Sequence, residues 1–249
     1  MRAWRRIVVL TGAGVSAESG VPTFRDLGGL WEGERIEDVA SPEGFERDPA
    51  RVHRFYNARR ARLPEVAPNA AHLALAELER RWGVDRPGAE FLLVTQNVDD
   101  LHERAGSPSP LHMHGELLKA RCTACGAVHA WAGDLGASSV CPACGASGSQ
   151  PACDDGGGAG LGMRPHIVWF GETPLEMDRA LAALRACDLF VSVGTSGRVY
   201  PAAAFVRVAG AAGARTVELN LEATGGGFDE VAEGPATQLV PAFVKRLLA

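Results

Sequence analysis

Lysine is almost missing from this chain. Lys119 and Lys245 are the only two, so arginine supplies nearly all of the positive charge. Nor is there an excess of basic residues: 25 stand against 30 acidic ones, a formal charge of −5, which argues against a protein that lives on nucleic acid phosphates. No apolar run approaches the roughly 20 residues that would cross a bilayer. The apolar stretch within Met1–Leu10 is too short for an export leader. A cytoplasmic protein with neither membrane nor nucleic acid partner is therefore expected, and we expect a monomer. Repeats are absent as well. With 46% apolar residues in 249, the chain can bury a real core, and its length suits one large domain carrying an inserted module.

Apolar runs alternate with helical patterns along most of the chain, which predicts β-α units and a mainly parallel sheet. Ile7–Leu10 reads as the first strand and Phe91–Val94 as another, each emptying into a polar loop: Thr11-Gly12-Ala13-Gly14 and Thr95-Gln96-Asn97. Ligands of open α/β sheets bind at such strand C-terminal ends. Further strands are expected at 166–170, 189–193 and 216–219, a helix at 201–211 and a closing helix at 241–248. Asp48-Pro49 is an N-cap followed by a first-turn proline and should open a helix over 50–63. Asn69 should open another over 70–82, closed by Gly83.

Residues 122–164 break the pattern with Gly, Ser, Ala and Cys, and 153–160 within them read as a mobile loop. Cys122-x-x-Cys125 and Cys141-x-x-Cys144 are separated by fifteen residues, the spacing of two zinc knuckles converging on one ion. Each pair is followed by a glycine, Gly126 or Gly145, which permits the tight turn of a knuckle. Four cysteines fill a tetrahedral sphere, so the zinc should be structural. Cys153 and Cys187 are left over, and Cys187, just before a strand, reads as an inert core thiol.

Gly12-Ala13-Gly14-Val15-Ser16-Ala17 after a strand fits a G-x-G-x-x-A phosphate turn, with glycines where a Cβ would block a pyrophosphate. An ordinary dehydrogenase would also carry an acidic residue at the end of a second strand some twenty positions on. Glu32 and Glu34 sit in a Gly/Trp-containing loop instead. A zinc-ribbon adaptor would explain the cysteines alone. The polar triplet Gln96, Asn97 and Asp99 just beyond a buried strand is costly unless something hydrogen-bonds to it; an Asx turn capping a helix that begins near Val98 is the plainer reading of Asp99.

The run from Gly12 to Arg25 resembles the signature of the sirtuin family of NAD-dependent protein deacylases. Thr95–His102, His114-Gly115, Val168–Glu172, Gly194-Thr195-Ser196 and Asn220-Leu221-Glu222 resemble further sirtuin blocks, in order, and the cysteine pairs fall where that family keeps its zinc. His112–Lys119 is similar to the bacterial CobB type, with Glu116 where many sirtuins carry serine, a difference for which the sequence offers no physical account. The resemblance implies an α/β fold: a Rossmann-like NAD-binding domain (1–32, 66–115 and 166–249), with a helical module (33–65) and a zinc-binding module (116–165) forming an inserted small domain. It implies that Gly12, Ala13, Gly14, Ser16 and Ala17 cradle the NAD pyrophosphate. Phe24, Arg25, Trp31, Gln96, Asn97, Val98 and Asp99 would surround the nicotinamide ribose, with Asp99 on the carboxamide. Gly194, Thr195, Ser196, Asn220, Leu221, Glu222 and Ala236 would line the adenosine side.

By the same resemblance His114 is the general base, a residue type that titrates near neutrality, and Gly115 leaves room for substrate. The reaction releases nicotinamide and O-acyl-ADP-ribose. Val168, Phe170, Gly171 and Glu172 would offer a strand edge to the acyl-lysine peptide. Tyr56 and Arg59, three apart on one helix face, resemble the pair with which class III sirtuins hold the carboxylate of succinyl and malonyl groups, and arginine's planar fork suits a carboxylate. Against this, Arg51, Arg54, Arg59, Arg60 and Arg62 read as a solvated basic face with Tyr56 on the core. A dual deacylase, succinyl/malonyl and acetyl, is expected. Mono-ADP-ribosyl transfer to protein is the competing activity.

Overall fold

The computed structural model describes residues 4–23, 30–31 (backbone only), 33–148 and 162–249. Phe24, Arg25, the side chain of Trp31, and Cys153 with the loop to 160 fall outside the described residues. The elements are, in order, β1 (Arg6–Thr11), α1 (Gly14–Ala17), β2 (Leu30–Trp31), β3 (Glu34–Arg35), α2 (Ile36–Val39), α3 (Pro42–Arg47), α4 (Pro49–Arg62) and α5 (Ala70–Asp85). Then come β4 (Glu90–Thr95), α6 (Leu101–Arg104), β5 (Leu111–His112), β6 (Gly115–Cys122), β7 (Val128–Ala130), β8 (Met163–Ile167) and α7 (Met177–Ala186). β9 (Leu189–Val193), α8 (Phe205–Ala211), β10 (Arg215–Asn220), β11 (Glu230–Glu233) and α9 (Ala236–Leu248) close the chain.

A six-stranded parallel sheet runs β11-β10-β9-β1-β4-β5. The central strands β1, β4 and β9 are mostly apolar because both faces of the sheet are covered there. Ile7 and Val9 of β1 pack with Leu75, Leu78 and Trp82 of α5 and Val240 and Phe243 of α9, while Val8 and Leu10 face α7 and α8 through Leu184, Phe205 and Ala209. The chain leaves β1 toward β4 on one side and returns to β9 on the other, so a crevice opens where the β1 and β9 ends diverge.

The smaller domain is an antiparallel sheet, β7-β6-β8. Val39, Phe45, Val52, Phe55 and Tyr56 from α2–α4 bury against Leu117, Ile167 and Trp169, which fastens the helical module to β6 and β8.

The expected strand at 166–170 is thus corrected. β8 runs 163–167, straddles the expected boundary at 165/166 and belongs to the small sheet. α5 passes through Gly83, whose φ is ordinary, and ends at Asp85, while Trp82 donates its indole N–H to the Arg5 carbonyl at 3.2 Å. The helix expected near Val98 begins at Leu101, whose N–H bonds to Asp99 Oδ1 at 3.1 Å. The segment 201–211 starts as a 3-10 turn at Ala202–Ala204. Pro241 lies inside α9 and does not open it. The start of α9 is fixed from outside, by the Glu18 carboxylate accepting from Thr237 N (3.0 Å) and Oγ1 (2.6 Å). Among the described residues no helix is long and apolar enough to cross a membrane.

Candidate active site

The loops after β1, β4, β9 and β10 meet at the crevice. Gly12 N bonds to Val193 O (3.0 Å) and Gly14 N to Gly194 O (2.8 Å), locking the first loop onto the third. A Cβ on Gly14 would sit 2.7 Å from Gly194 Cα, so this glycine is required by loop-to-loop packing, before any phosphate is considered. The amides of Val15 and Ser16 are also bonded, to Gly12 O and Ala13 O. The amides of Gly12, Gly14, Val15 and Ser16 are thus already bonded within the protein.

Ser16 faces inward, away from the crevice mouth, and its hydroxyl is saturated. Asn69 N donates to His72 Nδ1 (3.3 Å), so the His72 proton is on Nε2, which donates to Ser16 Oγ at 3.3 Å. Asn97 Nδ2 donates to the same oxygen (3.0 Å), and the hydroxyl donates to Asp99 Oδ2 at 3.1 Å. Asn97 N bonds Thr95 Oγ1 at 3.0 Å. Burial raises the Asp99 pKa, opposed by hydrogen bonds from Leu101 and Ser16. Asn97, through its N–H and Nδ2, and Asp99, through both carboxylate oxygens, are thus held in place, while Gln96 and Val98 are half-buried beside them.

His114 Nδ1 lies 3.2 Å from Gln96 O. A carbonyl can only accept, so the neutral ring carries its proton on Nδ1 and presents Nε2 as the basic atom. Burial lowers its pKa below the ordinary histidine value, against a smaller upward pull from Gln96 O. Gly115, expected from sequence to leave room for substrate, is required by packing in any case. At φ +83°, its missing Cβ would stand 2.0 Å from His166 O of β8.

The 168–172 segment departs from a simple strand edge. Val168 N is bonded to His114 O (2.9 Å) and Phe170 N to Ala40 O (3.0 Å), so neither amide is left for a peptide. Glu172 does not face outward: Arg164 holds it at 2.7 and 2.9 Å, Arg121 at 3.2 Å, and it accepts from Trp169 N at 2.8 Å. Phe170, 53% exposed, and Gly171 remain at the surface.

On the other side of the crevice Asn220 Nδ2 bonds Thr195 O at 2.7 Å, and Ser192 Oγ and Thr195 Oγ1 are 2.9 Å apart. Ser196, Leu221 and Glu222 are exposed at the rim, and Ala236 is buried at the start of α9. Ala17 is exposed next to the Glu18 cap.

Tyr56 is fully buried and its hydroxyl accepts from Trp169 Nε1 at 3.0 Å. Arg59 lies over the Phe55 ring at 3.2 Å and donates to Phe55 O. Burial raises the Tyr56 pKa, and the Arg59 and Arg164 charges pull it back. The solvated basic face is corrected at Arg60, which is buried and donates to Leu117 O (2.8 Å), Asn57 Oδ1 and Gly133 O, and at Arg51, which pairs with Glu34 and Asp38.

The sulfurs of Cys122, Cys125, Cys141 and Cys144 converge, with Cys122–Cys144 at 3.7 Å and Cys125–Cys141 at 3.8 Å. A tetrahedron of about 2.3 Å zinc–sulfur bonds has edges of about 3.8 Å, so the cluster fits one zinc ion. Gly126 and Gly145 take φ of +75° and +76°, and their amides return to Cys122 O and Cys141 O. Burial raises the Cys141 thiol, but the Cys144 and Ala143 amides and His129 outweigh it and favour the thiolate a metal needs. Cys187 is buried and donates to Leu184 O.

Sequence reasoning passed over His72, His102 and His112. Only the capping position of His72 in the Asn69 box offered a local signal. Glu103, His112 and Glu116 also lie within metal-ligand range of one another, but Glu103 is paired with His112 and Glu116 with Lys119.

The pattern of the Sir2 family matches residues 12–201. The chain is 55% identical over 247 residues to the NAD-dependent protein deacylase of Escherichia coli (strain K12), covering 98% of this chain and 82% of that protein. To the NAD-dependent protein deacylase of Caulobacter vibrioides it is 54% identical over 251 residues, 100% and 99% of the two chains. A solved complex of a Sir2 homolog with NAD is similar at a TM-score of 0.82 and 36% identity, covering 98% of this chain and 90% of that one.

Proposed function

The chain belongs to the Sir2 family, and from that premise we infer that it is an NAD-dependent protein deacylase acting on acyl-lysine, able to remove succinyl and malonyl as well as acetyl groups. The observation that carries the reading is His114, buried, fixed by Gln96 O and left with Nε2 as proton acceptor. Bound NAD would supply a sugar carbon from which nicotinamide departs as the acyl oxygen adds; passage of the acyl group to a ribose hydroxyl, with uptake of one water, then breaks the bond to the lysine nitrogen and frees the amine, leaving nicotinamide, O-acyl-ADP-ribose and deacylated lysine. His114 takes a ribose hydroxyl proton in the acyl transfer that follows. Asn97 and Asp99, immobilised through Ser16, hold the carboxamide, and the saturated network spares them reorganisation during reaction. The Gly12–Ala17 loop, seated on Gly194, takes the pyrophosphate, while Thr195, Ser196, Asn220, Leu221, Glu222 and Ala236 line the adenosine side. The peptide lies along Phe170 and Gly171, and the four cysteines hold a structural zinc.

The acyl preference rests on Tyr56 and Arg59. Trp169, which bonds the Tyr56 hydroxyl, follows Val168, the residue bonded to His114 O, so the phenol is tied to the segment that carries the base. The Arg59 charge acts on that phenol. Paired acetyl-lysine and succinyl-lysine peptides, incubated with NAD and followed by mass spectrometry, test both levels. NAD-dependent desuccinylation lost in Tyr56→Phe/Arg59→Met, with deacetylation kept, is expected. Deacetylation alone returns the two residues to packing roles, and no NAD-dependent product from either peptide overturns the deacylase reading.

A further inference from the structure

We propose that Glu103 and His112 form a positioning pair for the nicotinamide loop, acting with His114 so that one strand end grips two consecutive carbonyls of that loop. The proposal rests on the deacylase reading above. His112 and His114 project to the same side, while Met113 between them is buried in the core under the sheet and its N–H bonds Thr95 O at 3.0 Å. His112 Nδ1 is 3.0 Å from Asn97 O, and His114 Nδ1 is 3.2 Å from Gln96 O. Asn97 is already bonded through its N–H to Thr95 and through its side-chain Nδ2 to Ser16, and His112 secures its backbone carbonyl.

The protons on His112 follow from its partners. Asn97 O can only accept, which places a hydrogen on Nδ1. Nε2 stands 2.6 Å from Glu103 Oε1, a distance for a charge-assisted hydrogen bond and not for two facing lone pairs. A second proton must lie between them, and the grip on Asn97 is that of an imidazolium held by a carboxylate. The titratable groups around it are Glu103 and His102 from α6, the latter kept neutral by burial, Asp99 from the loop, Glu116 with its partner Lys119 from β6, and, across the cavity they share, His166 from β8 with Glu176 and Arg179 at α7. Burial works against the imidazolium, but Glu103 and then Glu116 outweigh it and raise its pKa above the ordinary histidine value. A cavity of about 570 Å³ lined by Glu103, His112, Glu116 and Lys119 lets the proton exchange with solvent. As pH rises through the raised pKa the second proton leaves, Nε2 and the carboxylate repel, and the grip on Asn97 loosens.

Glu103→Gln separates this role from simple packing. The amide can turn to donate its N–H to a neutral Nε2, so the grip no longer needs the second proton. The measurement is kcat/KM for NAD in deacetylation, from about pH 6 to about pH 10, with nicotinamide inhibition and thermal melting alongside. Wild type should lose activity on the alkaline side through the His112 titration, and Glu103→Gln should abolish that loss. Glu103→Ala, at a half-exposed side chain, should raise the nicotinamide inhibition constant and KM for NAD about tenfold, with kcat changed less than about threefold. A wild-type alkaline loss retained in Glu103→Gln, or unchanged nicotinamide inhibition in Glu103→Ala, overturns the proposal even if the melting temperature moves. Absence of NAD-dependent deacetylation in wild type would instead overturn the reading on which it rests.

Discussion

At Gly115 one missing methyl group decides whether β6 and β8 can meet. The residue stands in the left-handed region and its Cβ would meet a carbonyl that cannot move without taking β8 with it. Gly115→Ala should cost more than about 2 kcal/mol from the backbone conformation and the clash together. Urea unfolding reads that cost as a lower midpoint. His114 makes a second prediction at this scale. In the proposed mechanism its neutral form is the working form, and burial lowers its pKa. The acid limb of kcat/KM should therefore lie below the roughly 6.5 of an ordinary histidine, and a pH–rate profile measures it directly.

At the scale of the element, capping ties the secondary structure to the site. Asn69 caps α5 through Ala71 N (2.9 Å), and its amide also donates to Val15 O (2.8 Å) and Ser19 Oγ (2.9 Å). The same turn sets the His72 ring against Ser16. Asn69→Ala should cost about 1–2 kcal/mol of stability from the cap, and it should raise KM for NAD as well, because His72 and the Val15 turn lose their anchor. Thermal melts and steady-state kinetics separate the two effects. α9 shows the opposite arrangement: its cap comes from Glu18, the residue just after α1, 219 residues away in sequence. No local pattern announces such a start, and the closing helix expected at 241–248 therefore begins earlier, at Ala236.

For the whole molecule, two parts respond to different stresses. Among the described residues the zinc module has a small core, Ala120, Cys122, Leu135, Cys141 and Met163 with Trp131 and Ala146 packed against it, too small to stand without its metal. Metal removal by a chelator should expose four reactive thiols and disorder that module while the parallel sheet keeps its circular dichroism. A thiol titration with and without zinc checks this. Acid acts on the large domain and the helical module. Burial lowers His72 and His53 to about 4. Such groups are neutral when folded and take up protons on unfolding, so their stabilisation is complete above pH 6.5 and is lost as pH falls toward 4. The loss is on the order of 3 kcal/mol each. Urea midpoints measured from pH 7 down to pH 4 should fall accordingly.

Local chemistry in the sequence was enough for the strands β1, β4, β9 and β10, the caps at Asp48 and Asn69, the paired cysteine knuckles and the blocks that mark the family. Each is written in adjacent residues: a doubly buried strand is apolar without a break, a cap precedes its helix, and a knuckle needs its glycine. Tertiary structure alone decided that β8 joins the small sheet, that Gly14 and Gly115 are glycines because of Gly194 and His166, and that Glu172 and Arg60 are internal anchors. It alone brought His72 to Ser16 and Glu103 to His112. The physical reason is that a hydrogen bond or a steric contact between distant segments leaves no periodicity in either one, and its existence depends on where the other segment is placed.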